Sequence, residues 1–177
     1  VNQCQPIIAW STLKSQVGVM TVAVSQQGLC YLDFPKKEDP IFGLRIWASK
    51  QARSTHFEQN EQACAPALTQ LLEYFDRKRK EFDLPLDFTG TPFQQLVYRQ
   101  LCRIPYGTVA SYKQVAEAIG VPKAVRAVGG ANNKNPISIV VPCHRVIGAN
   151  GSLVGYGGGL EIKKNLLQLE GFSEYKD

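Results

Sequence analysis

Cys143 and His144 stand side by side within Ile139-Val140-Val141-Pro142-Cys143-His144-Arg145-Val146-Ile147-Gly148. A thiol is a useful nucleophile only as its thiolate, and an imidazole is one of the few side chains able to take its proton near neutral pH. The β-branched run ahead of Pro142 predicts a buried strand that presents the pair at its end. The bland alternative is a structural cysteine beside a surface histidine, because free cysteines are mostly small buried hydrophobes. The rest of the chain must decide between them.

With 177 residues the chain holds one compact domain or two small ones, long enough for a real core. No apolar run reaches the length of a bilayer, and no N-terminal stretch has the form of a signal peptide. Val1 in place of Met suggests a processed chain or a piece of a longer one. Five widely spaced cysteines, an odd number without a C-x-x-C pair, predict reduced thiols in a cytoplasmic setting rather than a disulfide framework. Residues 1–90 carry ten Lys/Arg against ten Asp/Glu, whereas residues 91–177 carry ten against five. The whole excess of +5 therefore lies in the half that holds Cys143, which favours a polyanionic partner, nucleic acid first.

The two halves differ in grammar. Val17 to Val24 and Leu29 to Phe34 carry strand patterns around a turn at Gln27-Gly28, and Pro35 to Pro40 forms a charged loop. Leu68, Leu71, Leu72 and Phe75 recur at helical spacing over residues 62–75. The basic run Arg77 to Lys80 then complements a helix C-terminus in solvent more simply than it forms a nucleic-acid patch. Residues 83–90 predict an extended linker.

From Thr91 the pattern turns helical. Thr91-Pro92-Phe93-Gln94 and Ser111-Tyr112-Lys113-Gln114 are both capping boxes. The first opens a helix with the stripe Phe93, Leu96, Val97, Leu101 and Ile104, stopped by Pro105-Tyr106-Gly107. The second opens a short helix ending at Gly120. Pro122 predicts the start of a third, through Lys123, Arg126, Ala127, Gly129, Gly130 and Ala131. Two short helices around Gly120 are a helix-turn-helix signal. Gly-Gly inside a helix costs about 1 kcal/mol per residue relative to Ala, so close approach of a packed helix or of a nucleic-acid backbone is the expected compensation. Gly155-Tyr156-Gly157-Gly158-Gly159 suits the wall of a flat-ligand pocket, or an ordinary turn. The last helix, residues 161–170, should turn Ile162, Leu166 and Leu169 inward.

Together these segments resemble the O6-alkylguanine-DNA alkyltransferase family, the methylated-DNA–protein-cysteine S-methyltransferases. The resemblance is carried by Ser111-Tyr112 through Arg126-Ala127-Val128-Gly129, by Asn135-Pro136, by Val141-Pro142-Cys143-His144-Arg145-Val146, by Gly155-Tyr156, and by Leu166 through Glu170-Gly171. Residues 1–90 share only a strand–hairpin–helix layout with it. The resemblance implies an α/β (α+β) chain in two parts. Residues 1–90 would be a structural, ribonuclease-H-like domain with a small antiparallel sheet and helices. Residues 91–177 would be a mostly helical domain with a helix-turn-helix for DNA and an active-site strand or loop that accepts the alkyl group.

The implied activity is DNA repair by a single-turnover, suicidal methyltransferase. The Cys143 thiolate would take the alkyl group from O6-alkylguanine in duplex DNA, with O4-alkylthymine as a further candidate, after the nucleotide is flipped out. His144 would receive the Cys143 proton through a water, and Glu170 would orient His144. Tyr112 would donate to the leaving base. Asn135 would tie the recognition-helix region to the active-site strand, and Arg126 would fill the vacated stack. Lys113, Lys123, Ala127 and Gly129 would join Tyr112 and Arg126 against DNA, while Val146, Tyr156 and Gly157 would hold the base edge. Gly157 stands where some relatives have Ser. Some relatives also bind zinc near the N-terminus, but only Cys4 and Cys30 lie near such positions, so neither metal nor cofactor is expected. The implied setting is a monomer on double-stranded DNA, away from membranes, cytoplasmic and nucleoid-associated in a prokaryote or nuclear in a eukaryote. Two rivals share part of the residues. A non-catalytic helix-turn-helix regulator or lesion sensor would need no Cys143, and a Cys-His-Glu thiol hydrolase would need no Arg126.

Overall fold

Three strands rich in β-branched and aromatic residues, Ile8–Ser15 (β1), Gly18–Ser25 (β2) and Gly28–Asp33 (β3), form an antiparallel meander with Ser15 opposite Gly18 and Ser25 opposite Gly28. In this computed structural model residues 6–54 and 56–176 are described. Phe57–Gln59 (β4) joins β1 in parallel, so the sheet order is β3-β2-β1-β4. The sequence pattern did not anticipate β1, β4 or the helix Phe42–Lys50 (α1). Three residues hold no periodicity, and α1 opens on Ile41 without a capping side chain. Glu61–Phe75 (α2) does carry its signal, since the Asn60 side chain accepts from the Ala63 N–H at 3.0 Å. Leu44 and Ala48 of α1 pack against Ile8, Ala23 and Tyr31, while α2 packs on β1 and β2. Arg79 pairs with Glu73 at 3.0 Å, and Arg77, Lys78 and Lys80 are exposed beyond the end of α2.

The segment expected as an extended linker is instead bound to the sheet. The Leu29 N–H donates to the Pro85 carbonyl at 2.8 Å, and the Asp87 N–H donates to Leu29 at 2.9 Å. Asp87 also accepts a forked pair of bonds from Arg53 at 2.6 and 2.7 Å, which gives the segment a buried anchor. Gly28 is required here, because its φ is +142° and a Cβ would meet the Pro85 oxygen. Cys4 lies outside the described residues. Cys30 is fully buried, its thiol donates to the Ala23 carbonyl, and burial pushes it up to about 12.

The chain divides into two compact units, residues 1–89 and 90–177. In the second, both capping boxes close reciprocally. Thr91 and Gln94 exchange bonds of 3.1 and 3.0 Å at the start of Pro92–Leu101 (α3), and Ser111 and Gln114 exchange 3.0 and 2.8 Å at the start of Tyr112–Ala118 (α4). α3 ends at Leu101, short of the predicted stop, and the chain tightens to i→i−3 bonds at Arg103 and Ile104. A residue ahead of proline is driven out of the α region, so the unwinding begins before Pro105. Val97, Tyr98, Leu101 and Ile104 face inward; Leu96 is exposed.

Val125–Asn133 (α5) begins later than Pro122 predicts. Residues 122–124 form a turn closed by Ala124 N–H to Val121, and Ala124 offers no capping side chain. Lys123 therefore lies outside the helix and shares no helical face with Arg126. Ala127, Gly130 and Ala131 stand three and four apart on one side of α5, with Gly129 on the other. Ala131 is buried, Gly129 is half-buried, and Ala127 and Gly130 face solvent. α3 and α4 both pack on α5. Ala110–Ser111 (β5) pairs in parallel with Val146–Ile147 (β6), placing the α4 cap beside the chain that leaves Cys143. Leu160–Leu169 (α6) buries Lys163, Leu166, Leu167 and Leu169, whereas Ile162 is only half-buried. Among the described residues no helix is long and apolar enough to cross a membrane.

Candidate active site

No strand leads into Cys143. Residues 138–140 are turns, Cys143–Arg145 is one turn of 3-10 helix, and the strand β6 follows the pair instead of preceding it. The β-branched run marked burial correctly but not a ladder. Ile139 sits at φ +71°, a conformation that costs a β-branched residue about 1–3 kcal/mol. Asn135 holds this turn closed: its Nδ2 donates to Val141 at 2.8 Å and to Ile137 at 3.4 Å, and its Oδ1 accepts from the Ile137 N–H at 3.0 Å. A strand would have sent Cys143 and His144 to opposite faces. In a 3-10 turn, successive side chains fan out about 120° apart instead.

His144 and the Glu170 side chain are completely buried, and His144 Nε2 lies 2.5 Å from Glu170 Oε2. Burial pushes Glu170 upward, but hydrogen bonds and charge from His144 and Arg145 outweigh it and hold the carboxyl well below its usual range. Burial lowers His144, with the charges of Arg145 and Lys163 acting the same way against Glu170. A neutral imidazole in this setting carries its proton on Nε2 and donates it to the carboxylate. Nδ1 is left as a buried acceptor without a protein partner.

Cys143 is 4% exposed and forms no disulfide. Tyr98, Tyr112 and Lys163 stand close enough that a thiolate there raises the pKa of each, although burial is the larger influence on all three. Lys163 has no exposed surface; its Nζ donates to the carbonyls of Val146 at 2.5 Å and Val154 at 2.9 Å, and burial brings it down to about 8. The Tyr112 hydroxyl donates to the same Val154 carbonyl at 3.0 Å. Asn132, on α5, donates to the Cys143 carbonyl at 3.4 Å. The glycine loop lies against the end of α5, where a Cβ on Gly155 would come 3.0 Å from Asn133 Oδ1.

Two family models cover the two units. The 6-O-methylguanine DNA methyltransferase, ribonuclease-like domain matches residues 8–88, and the 6-O-methylguanine DNA methyltransferase, DNA binding domain matches residues 92–172. The chain belongs to the 6-O-methylguanine DNA methyltransferase family. The methylated-DNA–protein-cysteine methyltransferase of Methanosarcina barkeri is 44% identical over 161 residues, 91% of this chain and 96% of the relative. The inducible one of Bacillus subtilis is 42% identical over 166 residues, 94% and 92% of the two chains. The crystal structure of Mycobacterium tuberculosis OGT in complex with DNA is similar at 43% identity and a TM-score of 0.79, covering 93% of this chain and 92% of that one.

In this family member the residues singled out from sequence fall into two sets. His144 and Glu170 meet in a buried pair, and Cys143 is buried next to His144 in the same turn. Asn135 braces its backbone, and Tyr112 and Val146 are bound to its neighbours Val154 and Lys163. Lys113, Lys123, Arg126 and Ala127 are instead exposed on and beside the helix-turn-helix, with Lys113 4.0 Å from Glu117. Gly129 lies against the Tyr112 ring, Tyr156 is half-buried and Gly157 is exposed. Sequence reasoning missed Arg145, Lys163, Asn132 and Tyr98. Lys163 precedes Leu166 by three, so a lysine on the apolar face of α6 was the overlooked sign.

Proposed function

We propose that this protein repairs duplex DNA by moving the alkyl group of O6-alkylguanine onto Cys143, once and irreversibly. The carrying observation is a buried Cys143 adjoining the buried, hydrogen-bonded His144–Glu170 pair within a DNA-binding family domain. Cys143 gives its proton, through a water, to His144 Nδ1. The sulfur then attacks the alkyl carbon, the S–C bond forms as the C–O6 bond breaks, and the base leaves as its anion. Tyr112 turns its hydroxyl proton from the Val154 carbonyl toward that base as charge develops. A thiolate suits displacement at carbon, and Cys143 is not regenerated. O6 of a stacked base cannot meet an in-line thiolate, so the nucleotide is flipped at a cost of a few kcal/mol. Arg126, exposed on α5, fills the gap. Lys113, Lys123 and Ala127 lie along the duplex. Val146 lines the pocket; its carbonyl has a lone pair left after Lys163, so it holds the base edge with Tyr156 and Gly157.

Residues 1–90 serve as the structural, ribonuclease-H-like part and residues 91–177 as the DNA-binding and acceptor part. The described cysteines are free of disulfides, which fits a reducing setting such as the cytoplasm. Incubation with duplex DNA containing O6-methylguanine, followed by intact-protein mass measurement, tests the reading. One added methyl group per chain, absent in Cys143→Ala, is expected. Folded protein of unchanged mass refutes it, and continuing turnover of an ester or amide substrate would favour a thiol hydrolase.

A further inference from the structure

Arg145 is 6% exposed, and its guanidinium is committed to the buried cluster. Nε donates to Glu170 Oε1 at 2.8 Å, Nη2 to Glu170 Oε2 at 3.2 Å, and Nη1 to the Ile104 carbonyl at 2.7 Å. The Gly107 N–H adds a bond of 3.2 Å to Oε1. Oε1 thus faces Arg145 Nε and Gly107, while Oε2 faces Arg145 Nη2 and His144 Nε2. Two carboxylate oxygens offer about four acceptor sites, and these donors meet both of them. A proton on Glu170 would have to displace one of these bonds. The anion in turn requires His144 to present Nε2–H, which leaves Nδ1 as the base.

We propose that Arg145 is a positioning residue for alkyl transfer: its fork locks Glu170 as an anion facing His144 and so fixes the imidazole tautomer that can accept the Cys143 proton. The inference rests on the proposed alkyl transfer and deepens it. The charged and titratable groups around His144 are Glu170 and Lys163 from the α6 segment and Cys143 and Arg145 from its own turn. Of these, Arg145 alone donates to both oxygens of the carboxylate partner of His144. Replacing this cation lets the His144–Glu170 pair bind a proton at higher pH, whichever member holds it.

The test is single-turnover methyl transfer from an O6-methylguanine duplex, read by intact mass between about pH 5 and 9 for wild type, Arg145→Lys and Arg145→Met. The acid limb of the rate profile should move up by about one pH unit in Arg145→Met, with duplex affinity unchanged. Arg145→Lys keeps the charge without the fork and should fall between the two. An acid limb that coincides with wild type in a folded variant overturns the proposal, even if stability has dropped. If Arg145→Met does not fold, Arg145→Lys decides by the same criterion. Nitrogen NMR of the His144 ring is a readout independent of activity. A single Nε2–H tautomer in wild type that becomes mixed in Arg145→Lys supports the role, and one unchanged in the variant refutes it. A wild type that gains no methyl would sink the alkyl-transfer reading, while the NMR comparison would still judge Arg145.

Discussion

The ring of Tyr112 lies against Gly129: a Cβ built on that glycine would stand 3.9 Å from Cδ1 of the phenol. A single methyl there would make only an ordinary van der Waals contact, whereas a longer side chain would press on the ring. At Gly130, by contrast, an added Cβ would meet nothing within 4 Å.

The pair can therefore be told apart by substitution. Gly129→Leu should push the Tyr112 ring off its seat and break the hydroxyl bond to Val154. Misplacement of a reacting group by about 1 Å can cost around 100-fold in rate, so a loss of tenfold or more in alkylation is expected. Gly130→Ala should keep the wild-type rate on free O6-alkylguanine base and raise stability by about 1 kcal/mol, read as a higher urea midpoint. Wild-type alkylation by Gly129→Leu would show that Tyr112 has no need of this seat.

Arg126 is exposed on α5, so its replacement should leave the fold intact. Arg126→Ala should slow repair of duplex DNA at least tenfold more than reaction with the free alkylated base, because only the duplex must be opened. Side-by-side rate constants on the two substrates check this. Equal losses would remove Arg126 from the flipping step.

Lys163 ties stability to pH in the alkaline range. Its folded pKa of about 8 lies below the unfolded value of about 10.4, so the unfolded chain binds more protons between those limits. Stability from this group therefore rises as pH climbs from about 8 to about 10, by an amount on the order of 2–3 kcal/mol. Lys163→Met should lack that increment. Urea unfolding of both proteins at several pH values measures the difference, and parallel curves across the range would show that Lys163 is not the titrating group.

Legibility from sequence depended on how local each signal is. Thr91 with Gln94 and Ser111 with Gln114 satisfy each other within four residues, so both helix starts were placed correctly. Pro122 carried a start signal just as local, but without a capping side chain at Ala124 the helix begins later. The run Ile139–Val141 announced burial, and burial was taken for a strand. What keeps it from being one is the nearby Asn135, whose amide closes the turn but carries no recognisable motif for it. Cys143 and His144 were legible from their own chemistry and Glu170 through family resemblance, whereas Arg145, Lys163 and Asn132 were not. Their partners are a carboxylate far along the chain and backbone carbonyls, and no residue type in the sequence advertises a carbonyl.

The carbonyl of Val154 receives both the Tyr112 hydroxyl and the Lys163 ammonium. Because that oxygen belongs to the main chain, every amino acid at position 154 supplies it. Alanine at 154 would pass over the junction, and drift at this site can change the side chain freely while the joint between helix and loop persists. Only insertion, deletion or a bend in the backbone there would register as loss of repair.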